Sequence, residues 1–178
     1  MHYLRIPKDR IGVLVGKSGN VKKEIEAKSG TKIEIDSENG DVVINEKENP
    51  IGMLKAVELI KAIGRGFSPE IAFKLLNDDI YFASIDIREY SKKSEKHLRR
   101  LKARIIGSEG KTKKLMQELT ETDICIYGDT VSIIGDIDSL EIAKVAVDMI
   151  LSGCEQSMVY NFLEKKRREK RLKELGGG

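Results

Sequence analysis

The chain has 178 residues and 20.0 kDa, 40% of them hydrophobic and 34% charged, which is enough for one or two domains with cores of their own. No run approaches the ~18 apolar residues of a membrane span, and the opening MHYLRIPKD has no signal-peptide apolar block. Cys125 and Cys154 make no disulfide framework, and with His2 and His97 they lack zinc-ligand spacing, so the expectation is a cytoplasmic protein with no membrane segment, metal or other cofactor.

In chain order, a strand is predicted over 2–6, then a short helix, the glycine pair Gly16 and Gly19, and a helix NVKKEIEAK. Thr31–Asp36 alternates as a strand, Gly40-Asp41 supplies a turn, and VVIN returns as the hairpin partner. Over 50–63, Met53, Leu54, Val57, Ile60 and Ile63 recur at helical spacing. Gly64-Arg65-Gly66 breaks the pattern, and Ser68-Pro69 has the chemistry to start another helix bearing Ile71, Phe73, Leu75 and Leu76. A second strand, 79–88, is followed by the basic helix KHLRRLKARII, the pair Gly107 and Gly110, and the helix KTKKLMQEL. Asp123–Tyr127, the turn Gly128-Asp129 and TVSII form another hairpin, with Cys125 expected to alternate inward. A helix over 137–151 then carries Leu140, Ala143, Val147 and Leu151, and Met158–Leu163 runs on into EKKRREKRLKEL.

That order is a repeat. Shifted by 91 residues, IGVLVGKSGNVKKEIEAKSGTKIEI (11–35) lies on KARIIGSEGKTKKLMQELTETDICI (102–126) without a gap. Farther on the offset falls to 87, where Gly66 meets Gly153 and Phe73 meets Tyr160. Two tandem domains are therefore expected, 1–77 and 78–163, each with an appended helix, and a basic tail over 164–178. The formal charge of +3 hides blocks of +5 (1–33), −6 (34–91), +8 (92–114), −8 (115–163) and +4 (164–174). The first and third blocks coincide with the glycine pairs, as a polyanion-binding face requires.

Gly-x-x-Gly between two helices has a physical use. Glycines let a sugar-phosphate backbone approach the main chain closely, and the helix that follows points free N–H groups at the phosphates. VGKSG followed by a basic helix and a TKIEI strand resembles the KH family, whose loop clamps about four nucleotides of single-stranded nucleic acid. The resemblance implies an α+β fold of two type I KH domains (β-α-α-β-β-α), each a three-stranded antiparallel sheet with helices on one face, plus a helical C-terminal extension. Candidate RNA-binding residues are Gly16, Lys17, Ser18, Gly19, Lys22 and Lys23 in the first repeat. In the second they are Arg99, Arg100, Lys102, Arg104, Gly107, Ser108, Gly110, Lys111, Lys113 and Lys114. Bases are expected against aliphatic side chains such as Ile11, Leu14, Ile33 and Ile35, since the low aromatic content suits no stacking platform. Two departures from the family stand out: Lys22 and Lys113 replace its usual aliphatic residue, and Glu109 sits in the second loop.

The second half is similar, more narrowly, to the archaeal and eukaryotic family of small-subunit assembly factors, the Dim-two-type KH proteins that partner the Nob endonuclease. That resemblance implies binding of precursor small-subunit ribosomal RNA near its 3′ end. It also implies contacts with the Nob-type endonuclease and with the alpha subunit of initiation factor two. A protein adaptor with degenerate KH folds is the alternative reading. No enzymatic activity is expected: His97 has no evident acidic or nucleophilic partner, and Gly12-x-x-x-Gly16-Lys17-Ser18 has three residues where a nucleotide-binding P-loop needs four. The run Lys165–Arg171 reads either as a basic arm for duplex phosphates or as a helix end paired with Glu164, Glu169 and Glu174.

Overall fold

A computed structural model describes residues 1–176 and divides the chain after Phe82, where the sequence reading placed the division after 77. The first unit runs β1 (His2–Arg5), α1 (Lys8–Val15), a 3-10 turn Lys17–Gly19, α2 (Asn20–Ser29), β2 (Thr31–Asp36), β3 (Asp41–Glu46) and α3 (Pro50–Gly64). It closes with α4 (Pro69–Ala72), which tightens into a 3-10 turn over Phe73–Leu76. The expected appended helix is thus a single α turn: Ser68 caps it through Ile71 N–H at 3.4 Å, and Pro69 occupies the first position.

The second unit repeats the order. β4 (Tyr81–Asp86) leads into a 3-10 turn Ile87–Tyr90, α5 (Glu95–Ile106), a 3-10 turn Ser108–Gly110, α6 (Lys111–Thr120), β5 (Asp123–Tyr127), β6 (Thr130–Gly135) and α7 (Ile137–Leu151). The opening strand is shorter than 79–88 because the Asp86 carboxylate accepts from Arg88 N–H at 2.9 Å and turns the chain. From Gln156 to Gly176 the chain is one helix, α8, so Met158–Leu163 and the basic run after it form a single element.

Each unit holds a three-stranded antiparallel sheet, ordered β1-β3-β2 and β4-β6-β5, so β2 and β5 are edge strands. Register follows the apolar alternation: Ile33 lies opposite Ile44, and Ile124 opposite Ile133, all four buried. Leu14, Ile25, Leu59, Ile60 and Ile63 complete the first core; Ile105, Met116, Val147 and Ile150 belong to the second. Both repeats seal the second helix with a buried hydroxyl pair. Ser29 Oγ donates to the Ile25 carbonyl at 2.6 Å and meets Thr31 Oγ1 at 2.7 Å. Thr120 does the same with the Met116 carbonyl (2.6 Å) and Thr122 (2.7 Å). Gly52 brings α3 against this seal so closely that a Cβ there would lie 1.9 Å from the Ser29 carbonyl oxygen. Among the described residues, no helix is long and apolar enough to cross a membrane.

Candidate nucleic-acid interface

The two Gly-x-x-Gly loops adopt one conformation. Gly16 and Gly107 have φ/ψ of 75/177° and 77/171°, a region essentially reserved for glycine. The third loop residues, Ser18 and Glu109, are left-handed at φ 55° and 56°, and the closing glycines, Gly19 and Gly110, sit at φ 76° and 74°. The two glycines of each loop serve different ends. A Cβ on Gly16 would lie 2.3 Å from Asn20 Oδ1, and one on Gly107 2.2 Å from Thr112 Oγ1, so the first glycine is required by packing as well as by φ. A Cβ on Gly110 would meet nothing within 4 Å, and one on Gly19 only the Lys23 Cε at 3.8 Å. The second glycine therefore leaves an open face, where a phosphate backbone can lie against the main chain. Gly19 and Gly110 are the N-caps of α2 and α6, and no side chain caps either helix; the first N–H of each, on Asn20 and Lys111, donates to the carbonyl of Lys17 and of Ser108, so the opening meets the positive end of the helix.

Around the second loop the described residues form a groove of about 320 Å³ lined by Ile106, Gly110, Lys113, Lys114, Gln117, Cys125 and Ile126. It lies between α6 and the edge strand β5. Ile106, 39% exposed, supplies apolar surface that sequence reasoning missed. Cys125 lines the groove and is half-buried, where the alternation pattern had turned it inward. Gln117 was also missed; its Oε1 accepts from Ile124 N–H at 2.8 Å. At the repeat-related positions of the first unit stand Val15, Gly19, Lys22, Lys23, Glu26, Glu34 and Ile35. Glu26 makes the matching bond, Oε2 accepting from Ile33 N–H at 2.9 Å.

Three expected groove residues are core residues instead. Ile11, Leu14 and Ile33 are 6%, 0% and 1% exposed, because α1, α2 and the sheet close over them; only Ile35 reaches the surface. The basic residues of α5 also divide. Arg99 and Arg100 are exposed and border a shallow concavity with Lys96 and Ala103. Lys102 pairs with Asp129 at 2.5 Å, and the Arg104 guanidinium donates to the Ile150 and Cys154 carbonyls at the end of α7. In the first unit Arg10 plays the part of Arg104, donating at 2.8 Å to both the Ile63 and Phe67 carbonyls. Lys17, Ser18, Lys23, Ser108, Lys111 and Lys114 are exposed at the loops, and Lys22 and Lys113 are half-buried.

Behind the loops the units differ again. In the second, Thr112 Oγ1 meets the Tyr160 hydroxyl at 3.1 Å and accepts from Gln156 Nε2 at 3.2 Å, tying α8 to α6. In the first, Val21 and Phe73 occupy the places of Thr112 and Tyr160 and make no such bond; they border a cleft of about 700 Å³ between α2 and α4. Along α8, Lys166 pairs with Glu169 at 3.4 Å and Lys170 with Glu121 at 3.2 Å, whereas Lys165, Arg168 and Arg171 are exposed. Among the described residues no group of three or more His, Cys, Asp and Glu is placed to hold a metal ion.

Comparison with known proteins agrees with this geometry. Residues 2–62 match the family model of the KH domain, and residues 81–168 that of the eukaryotic-type KH domain, type I. A KH domain-containing protein of Methanocaldococcus jannaschii, MJ0443, is 46% identical over 169 residues, 93% of this chain and 74% of its own length. The pre-rRNA-processing protein pno1 of Aspergillus fumigatus is 34% identical over 113 residues, 62% of this chain, which spans under half (45%) of that protein. Among solved structures, the a/eIF2alpha-aDim2p-rRNA complex from Pyrococcus horikoshii OT3 contains a chain that is 43% identical, with a TM-score of 0.88 and 94% of each chain covered. Two Gly-x-x-Gly loops of one geometry, on two β-α-α-β-β-α units matched over 93% and 94% of the chain by two of these relatives, place the chain in the KH-domain family of Dim2/PNO1-type RNA-binding ribosome assembly factors.

Proposed function

We propose that the chain binds single-stranded RNA without acting as an enzyme, as a processing and assembly factor for the small ribosomal subunit, and that its second KH unit carries most of the RNA affinity. One observation carries the assignment to the second unit: its groove sets Lys113 and Lys114 beside the neutral Gln117 and Cys125 and next to the open face of Gly110. Phosphates lie along the loop, drawn by the positive end of α6 and held by Lys111, Lys113 and Lys114, with Gly107 and Ser108 shaping the approach. Bases lie in the groove against Ile106 and Ile126. Arg99 and Arg100 extend the positive surface beyond it, while Lys102 and Arg104 serve the fold.

The ligand on this reading is precursor small-subunit ribosomal RNA near its 3′ end, met in the cytoplasm. The relatives described as pre-rRNA-processing proteins and the related chain solved with ribosomal RNA support it. The first unit's groove, with Glu26 and Glu34 beside its lysines, suits basic side chains of a protein better than RNA. The alpha subunit of initiation factor two, present in the complex of the related chain, is the partner this reading favours there, with the Nob-type endonuclease as a second.

The test is an anisotropy titration with a short single-stranded RNA from the small-subunit rRNA 3′ region. Gly110→Asp should weaken binding by roughly a hundredfold, since it places a carboxylate where charge-assisted bonds of about 1.5–3 kcal/mol each form. The variant should still capture the initiation-factor subunit. Unchanged RNA affinity would sink the assignment.

A further inference from the structure

Gln117 lies seven residues beyond Gly110 on α6, about 10 Å along the helix axis, past the reach of a phosphate held at the helix N-terminus. Its amide is oriented by the fold. The Ile124 N–H needs an oxygen opposite it, Oε1 fills that place at 2.8 Å, and Nε2 is the end left over. Among the described residues no hydrogen bond takes up Nε2, and the side chain lines the groove with Lys113, Lys114, Cys125 and Ile126. A donor with no protein partner among the described residues thus borders the groove, beyond the loop. The first unit gives the opposite polarity from the same backbone: Glu26 spends one oxygen on Ile33 N–H at 2.9 Å and, when ionised, has only an acceptor left.

We propose that Gln117 is a base-selecting residue, its Nε2 donating to a carbonyl oxygen of the base seated in the second groove. Uracil, cytosine and guanine carry such an oxygen; adenine offers in-ring nitrogens instead, which do not project as an exocyclic oxygen does, so adenine is disfavoured at that place. The inference rests on the groove being an RNA site, and the experiment separates the two.

Fluorescence anisotropy of the full chain with rU10, rC10 and rA10 should rank both pyrimidine decamers above rA10. Gln117→Glu is a change the fold already accommodates, as Glu26 demonstrates, so the unfolding midpoint should hold. The preference for rC10 over rA10 should fall about tenfold, the worth of one hydrogen bond exchanged for a repulsion. A variant that weakens all three decamers equally would overturn the proposal, because the new carboxylate would then act through charge alone and the Gln117 amide would discriminate nothing. A second readout needs no variant to fold. The chain has two glutamines, Gln117 and Gln156, so its ¹⁵N-labelled side-chain amides are readily assigned. Addition of rU10 should shift the Gln117 pair and leave the Gln156 pair, which is tied to Thr112, in place. A stationary Gln117 pair would refute base reading. Should the wild type bind none of the decamers, or bind them as Gly110→Asp does, the groove assignment itself fails and this inference with it.

Discussion

At the positions where the second unit lines its groove with Lys113, Lys114, Gln117 and Cys125, the first unit has Lys22, Lys23, Glu26 and Glu34. The loops are superimposable in their dihedral angles and the helices open toward them in the same way, so backbone geometry does not distinguish the two. What differs is the charge of the groove wall. Carboxylates stand at the first unit's positions, whereas among the described residues none lines the second groove; Glu109, next to Gly110 in sequence, belongs to the loop. The support behind the loop differs as well, since the second unit ties α6 to α8 through Thr112, Tyr160 and Gln156 where the first leaves a cleft. The repeat thus preserved the loop backbone while the walls beside it diverged.

The sharpest way to break this comparison is to place the same charge in both cradles. Gly19→Asp should change RNA affinity by less than about threefold, against the roughly hundredfold loss at Gly110. Neither new side chain has a backbone clash to confuse the result, and aspartate tolerates the left-handed conformation. Equal losses at both glycines, measured by anisotropy, would mean that the two units share the RNA.

A difference of packing comes next. The repeat-related partner of Gly52 is Ser139, whose Cβ the second unit accommodates. Gly52→Ala drives a methyl to 1.9 Å from a backbone oxygen that no rotamer change can move, so it should cost about 1–3 kcal/mol. Ser139→Ala loses the Oγ–Asp136 bond of 3.0 Å, at about 1 kcal/mol or less. Calorimetry on both variants checks the order, and a larger effect at Ser139 would contradict it.

Much of this was legible in the sequence, for a physical reason. The glycine spacing, the offset of 91 and the matching Thr31 and Thr122 all encode backbone, and backbone repeats faithfully. Side-chain destinations did not read as well. Arg104 and Lys102 look like RNA ligands in a basic helix, yet the end of α7 and the β5–β6 turn claim them, and neither is close in sequence. Ile11, Leu14 and Ile33 look like a groove lining, but helical and strand periodicity identifies an apolar face without saying what covers it. Arg10 and Arg104 show why the repeat itself misleads: they do the same task from positions that the 91-residue offset does not align. The donor at Gln117 was invisible because it exists only once Ile124 N–H has fixed the amide.

Swapping the groove walls sharpens the comparison at moderate cost. Glu26→Gln with Glu34→Cys gives the first unit the second unit's lining, and Glu26→Gln keeps an oxygen for Ile33 N–H. In a Gly110→Asp background, where the second unit is silenced, residual RNA affinity should rise about tenfold as two negative charges leave the surface beside the loop lysines. The gain should shrink as salt is raised, and its absence at low salt would move the cause of the asymmetry from charge to shape.

The smallest effect concerns the anchor of α8, which the first unit lacks. Lys170 Nζ reaches Glu121 at 3.2 Å and Ser139 Oγ at 3.4 Å beside Asp136, the N-cap of α7. Burial opposes the Asp136 charge, but the Ser139 N–H and hydroxyl, with Lys170 farther off, outweigh it and hold the carboxyl below its ordinary range. Burial likewise works against Lys170, and Glu121 outweighs it, so its ammonium is held above the usual value. A carboxyl depressed on folding stabilises the native state above its unfolded pKa, and that contribution fades as pH falls through the folded value. Lys170→Ala should therefore lower the unfolding midpoint at pH 7 by no more than about 2 °C, the size expected of a partly exposed pair. The gap between variant and wild type should close as the pH falls below the ordinary aspartate value of about 3.9, where Asp136 at last takes up its proton. A gap that persists unchanged into acid would mean that the Lys170 stem holds α8 by packing, and that the charge at its tip is incidental.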